Sequence, residues 1–351
     1  MRTSWLVVFF VALALEILWS SRVSGFYGDS AAIESVSRRG AHVGIVVPNM
    51  YEFTPLLEQG RFVADATIPF IDIGGRRFHI GTIHGKRSIV VISGLSMLNA
   101  GTTTQQLLDH FRIDVVLHYG IAGSSNPSLH IADVSIASSW IHTGLWYWQR
   151  YGQGPNDELS LEQNGDYTRL LGNLHFGSYN DPSNENSDNK LGHIYFQPEE
   201  VFPITGTPEV RQHAFKVPVS RTLYETAQRE LMNLELKACL NSSSCLSSEP
   251  KVLFGLTGSS ANVFLDNAAY RTLLYDKFGI SSVDMESAAV ALVEFSKIFP
   301  LWFPKSHLDS SRLATRKANL SSSFAPSPTS LEARITPTRR SNSATSRPRT
   351  R

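Results

Sequence analysis

The sequence predicts an α/β fold: a single domain with a central, mostly parallel, twisted sheet flanked by helices. Three observations carry that prediction. Unbroken runs of Val, Ile and Leu alternate with helical segments, as strands buried on both faces require. Three of these runs end in short loops, at 48–52, 93–96 and 120–123, where ligands of open α/β sheets bind. The chain has 351 residues, 42% hydrophobic and 18% charged, which is enough to bury one large core.

The elements follow in order. Residues 26–41 are polar and read as a loose leader. A strand at 43–47 stops at Pro48. Strands at 68–73 and 77–83 are joined by the turn Gly74-Gly75. A strand at 88–94 leads to a helix at 99–111, then to a strand at 114–119 and another at 133–137. The stretch 146–203 is rich in Asn, Asp, Gly and Tyr and reads as a surface insertion. Apolar spacing predicts a helix over 220–238. A strand at 251–256 runs into a loop at 257–260, and a helix at 267–278 is ended by Gly279. A strand end at 281–284 opens a helix over 285–299. From Leu301 the chain turns Ser/Pro/Arg-rich and reads as a disordered basic tail, 301–351, so that C-terminal elements of the fold are missing.

The charge is unevenly spread. The formal net charge is +1, yet the tail carries ten Lys and Arg against Asp309 and Glu332. The first 300 residues are therefore acidic, which argues against a nucleic-acid partner. The N-terminus reads as a signal peptide over 1–25: Arg2, an apolar run from Leu6 to Leu18 broken by Glu16, then small residues before a cut after Gly25. The rival reading is a membrane anchor, but the run is shorter than the roughly 20 residues a span needs. The expected location is the secretory pathway, extracellular or vacuolar, with no membrane contact after cleavage. Cys239 and Cys245, the only two cysteines, can close a small loop in an oxidising compartment, and Asn241-Ser242-Ser243 is a glycosylation sequon. Two free buried thiols and an unused sequon are the alternative. The 11 histidines show no metal-ligand spacing, and neither GxGxxG nor a P-loop occurs. No metal or cofactor is expected.

Gly44-Ile45-Val46-Val47, Ser93-Gly94, Gly120-Ile121-Ala122-Gly123 and Val283-Asp284-Met285-Glu286-Ser287-Ala288-Ala289 occur in an order that resembles the nucleoside phosphorylase superfamily. Within it the chain resembles the methylthioadenosine/S-adenosylhomocysteine nucleosidases and, more narrowly, the plant bark storage proteins, whose His142-Thr143-Gly144-Leu145-Trp146 stretch and long polar insertion are similar. The resemblance covers about 42–300. It implies a small-molecule nucleoside as ligand, phosphate as a conceivable co-substrate, and a homo-oligomer.

Cleaving an N-glycosidic bond builds positive charge on the ribose, so the site needs a carboxylate at the sugar, an acid for the departing base and a base for water. The resemblance implies Glu286 as the ribose carboxylate with Met285 packed on the sugar. The alternative is a helix N-terminal acid held by the macrodipole, with Met285 in the core. Glu52, eight residues after Gly44, stands where the nucleosidases carry their catalytic glutamate; the alternative is an exposed acid in a helix's first turn. Ser93 and Gly94 form the loop expected to face water or phosphate, or a plain turn. Phe264 stacks on the base or is a core aromatic. Asp309 stands at the family's spacing for the proton donor, but Pro304 and Lys305 break the strand expected around it, and the reading as a tail aspartate stands against it. The expected function is purine-nucleoside binding with weak or lost cleavage; the alternative is a vegetative storage glycoprotein without catalysis.

Overall fold

The computed structural model describes residues 29–148, 171–175, 193–201, 212–241, 243–298 and 320–326. The expected signal segment, most of the polar insertion and Asp309 lie outside them.

Twelve strands form the main sheet: β1 (His42–Val47), β2 (Phe62–Ala64), β3 (Phe70–Ile73), β4 (Arg76–Ile83), β5 (Lys86–Ile92), β6 (Ile113–Tyr119), β7 (Gly123–Ser124), β8 (Val134–His142), β9 (Val217–Pro218), β10 (Val252–Ser260), β11 (Ile280–Asp284) and β12 (Leu320–Pro326). The order is β2-β4-β5-β1-β6-β12-β8-β10-β11-β7, with β3 on β4 and β9 on β8. The interior pairs β5-β1, β1-β6, β6-β12, β8-β10 and β10-β11 are parallel, and the flanks are antiparallel. Three small sheets accompany it, including the three-stranded one made by Trp146–Tyr147, Asn173–His175 and His193–Phe196.

Among the described residues, six helices flank the strands: α1 (Ser30–Arg38), α2 (Met50–Glu58), α3 (Met97–His110), α4 (Arg221–Leu231), α5 (Ala268–Phe278) and α6 (Ser287–Ile298). The continuous apolar runs are explained by double-sided burial. Val46 of β1 and Ile89 and Val91 of β5 face a core shared with Leu107 of α3 and Ala288 to Ala291 of α6. Their neighbours Ile45, Val47 and Val90 point the other way, onto Phe53 of α2. Successive side chains of a strand alternate faces, so a run with no polar break marks a covered sheet.

Several expectations are corrected. The leader contains α1, whose Asp29 side chain caps Ala31 and Ala32 N–H at 3.0 and 3.2 Å, and Val36 is fully buried. The helix expected to reach 238 ends at Leu231, and Cys239–Asn241 pairs with Ser244–Cys245 in a disulfide-linked hairpin. The strand expected over 133–137 extends to His142. Residues 257–260, expected as a loop, continue β10 between β8 and β11. Gly258 belongs there because a Cβ would come within 2.3 Å of the fully buried Trp140. The tail also departs from the sequence reading. Leu320–Pro326 lies parallel to β6 and antiparallel to β8, filling the slot between them. Its three serines hide it from any apolar pattern; ladders on both sides place it.

Candidate functional site

The carboxyl ends of β1, β5, β6 and β11 open on one cleft of about 520 Å³. Its walls include Glu52, Leu95, Ile121, Phe264, Met285 and Glu286. A second concavity of about 510 Å³ around Arg61 and His84 has no carboxylate in its walls. The first is distinguished by three converging acids.

Glu52 sits at the third position of α2. Asn49 and Glu52 form a capping box, the Glu52 carboxylate accepting Asn49 N–H at 3.0 Å and the Asn49 side chain accepting Tyr51 N–H at 2.8 Å. The other Glu52 oxygen accepts Ile121 N–H at 2.8 Å. Glu52 is thus a structural cap and a cleft wall at once, and it is buried, only 8% exposed. Burial pushes its carboxyl up to about 6 against the pull of the Ile121 and Asn49 amides, with the Asp284 charge adding to the rise. Gly120 allows this arrangement, since a Cβ there would stand 2.9 Å from Glu52 Oε1.

Glu286 is 4% exposed and lies just before α6. Its Oε1 accepts Ser96 N–H at 2.8 Å and its Oε2 accepts Met285 N–H at 3.2 Å. Burial pushes its carboxyl up to about 7; the Ser96 amide opposes this, and the charges of Asp284 and Glu52 add to it. Asp284 itself caps α6. It accepts the Glu286 and Ser287 N–H groups, both at 3.2 Å, and the hydroxyls of Ser260 and Ser287. Beneath it, fully buried His118 meets the Val46 carbonyl at 2.9 Å through Nδ1, and burial holds its pKa low.

The other expected residues divide. Met285 lines the cleft, and Phe264 stands at its mouth, 88% exposed; the core-aromatic alternative for Phe264 is excluded. Ser93 is buried, and its hydroxyl is turned to the Gly94 and Val47 carbonyls at 2.9 and 3.4 Å. Ser93 and Gly94 support the cleft from behind and are absent from its walls. Cys239 and Cys245 are joined in a disulfide, so the free-thiol alternative falls. Asn241 is exposed on that hairpin, and its side-chain oxygen accepts the Ser243 N–H and hydroxyl at 3.0 and 2.9 Å. Sequence reasoning missed Asp284, Asn49 and Asn262, whose side chain holds Met97 N–H at 2.9 Å. The spacings Asn49-x-x-Glu52 and Asp284-x-x-Ser287 are cap signatures that could have found two of them.

Two raised carboxyls facing one cleft with an apolar wall can hold hydroxyls on one side and take a proton on the other. The fold and this cleft define the class. Residues 42–293 match the model of the phosphorylase superfamily, and the chain belongs to that superfamily. It is similar to bark storage protein A of Populus deltoides, 32% identical over 269 residues that cover 76% of this chain and 79% of that one. A 5'-methylthioadenosine/S-adenosylhomocysteine nucleosidase of Geobacillus kaustophilus is 38% identical over 88 residues, 24% of this chain and 37% of the enzyme. Among solved structures, futalosine hydrolase of Helicobacter pylori superposes with a TM-score of 0.47 at 19% identity, covering 83% of this chain and 85% of that one.

Proposed function

We propose that the cleft binds a purine nucleoside and that cleavage of its glycosidic bond is weak or lost. In this reading Glu286 accepts the ribose hydroxyls, Met285 packs on the sugar, and Phe264 covers the base at the mouth. Glu52, ionised above about pH 6, is the group suited to take a proton from water. The single observation that supports binding most is the pairing of buried Glu286 with Met285 in the wall of one cleft with Phe264.

Weak cleavage is supported by what fills the slot between β6 and β8. The segment Leu-Ser-Ser-Ser-Phe-Ala-Pro contains no acid to protonate a departing base. The carboxylates in the cleft wall, Glu52, Asp284 and Glu286, are committed to backbone amides or to capping. The test is binding and base release by the purified protein. Methylthioadenosine, adenosine and inosine are offered, with and without phosphate, beside Glu286→Gln. Saturable binding lost in the variant, with little base release, is expected. Rapid release would show full catalysis, and no binding by folded protein would sink the nucleoside reading.

The second reading is a vegetative storage glycoprotein of the secretory pathway. The 32% identity to bark storage protein A favours it, as does exposed Asn241 beside a disulfide. Loss of mass on treating the protein isolated from its native tissue with an N-glycosidase would support it; an unmodified Asn241 would count against it.

A further inference from the structure

Behind the apolar wall of the cleft lies a small cavity of about 10 Å³. It shares Val263, Leu265, Val283 and Asp284 with the cleft and adds Thr143 and Tyr270. That volume suits about one water or one small substituent of a ligand. The Tyr270 hydroxyl oxygen is buried and makes no hydrogen bond of ordinary geometry. Burial pushes its pKa up to about 12, so it stays protonated, with Thr143 close enough to oppose the shift. An unpaired buried hydroxyl costs about 1–3 kcal/mol, and a Phe here would avoid that cost. The Thr143 hydroxyl already leans on the Ser260 carbonyl at 3.4 Å. Unpaired within the protein, the Tyr270 hydroxyl keeps both its proton and its lone pairs for a ligand.

We propose that Tyr270, beside Thr143 in this cavity, is a specificity-determining residue that reads the edge of the bound base and favours one carrying a hydrogen-bonding substituent over one without. The inference rests on the nucleoside reading of the cleft and adds the group that selects among bases. Neither residue was singled out for a role by the sequence motifs. Discrimination of this kind is strong because the competitor leaves a buried polar group unpaired.

The test is titration calorimetry of the full chain with adenosine, inosine and unsubstituted purine riboside, on the wild type, Tyr270→Phe and Thr143→Val. The wild type is expected to prefer adenosine to purine riboside by about tenfold or more, the loss of one buried hydrogen bond. Tyr270→Phe should shrink that preference to about twofold, and Thr143→Val should shrink it in the same direction. Thermal melts should show both variants folded. A preference that both folded variants retain overturns the inference while leaving the binding site intact. Failure of the wild type to bind any of the three overturns the nucleoside reading itself, and this inference with it.

Discussion

The Glu286 carboxylate accepts the backbone N–H of Ser96 at 2.8 Å, across 190 residues of sequence. Ser96 makes that bond from φ 94 and ψ 152, a conformation that suits glycine. It precedes α3 as the cap residue, yet its side chain makes no capping hydrogen bond. The loop is thus shaped for the carboxylate at the expense of its own backbone. Ser96→Gly should relieve the strain and raise stability by about 1 kcal/mol, read as a shift of the urea midpoint. A variant less stable than the wild type would contradict this.

Removing the Glu286 charge should weaken nucleoside binding. A hydrogen bond to a charged group contributes about 1.5–3 kcal/mol, so Glu286→Gln should lose about tenfold to hundredfold in affinity. Wild-type affinity should also fall as the pH drops through about 7, where the carboxylate takes up a proton. Calorimetry at pH 6 and pH 8 checks both statements.

The same two carboxyls make stability depend on pH. Their folded values, about 6 for Glu52 and about 7 for Glu286, lie above the ordinary 4.5. The folded state therefore holds protons that the unfolded chain has already released. Their contribution is fully present below pH 4.5 and is lost as the pH rises through 6 and 7. Glu52→Gln combined with Glu286→Gln should flatten the fall in stability between pH 4.5 and 7.5. Denaturation midpoints across that range measure it, and parallel curves for variant and wild type would refute it.

Gly258 touches Trp140 where no other residue fits. Gly258→Ala would place a Cβ 2.3 Å from the indole in a fully buried environment. A loss of about 1–3 kcal/mol is expected from this overpacking, measured by urea unfolding. A neutral result would show that β8 and β10 can separate at low cost.

Among the described residues, β12 alone bridges β6 and β8, while β9 holds only Ser139 and Trp140 of that β8 edge. Deleting residues 301–351 should open both ladders in the middle of the sheet, and unpaired edges promote aggregation. The expected outcome is insoluble protein or loss of a cooperative melt. A soluble fragment ending at 300 that melts cooperatively would show β12 to be dispensable.

Much of this was legible in the sequence, for reasons particular to each element. β1, β5 and β6 are apolar on both faces, so their runs announce buried strands without help from tertiary context. Asn267 and Gly279 punctuate α5 at both ends, the first capping Tyr270 N–H at 2.9 Å and the second at φ 68. Glu286 and Met285 could be placed in a site because their motif is specific. Ser93 could not be judged, because a serine in a loop looks the same whether its hydroxyl faces a ligand or the Gly94 carbonyl.

The sequence by itself determined the fold class, the superfamily and the pair of glutamates at the cleft, since local apolar runs and short motifs carry that information. Only the tertiary structure decided what each group does there. It made Glu52 a cap as well as a cleft wall, drew Ser96 onto Glu286, set Gly258 against Trp140 and put a serine-rich tail segment into the sheet. Those outcomes depend on contacts between residues distant in the chain, where burial, ladder pairing and close packing outweigh local preference.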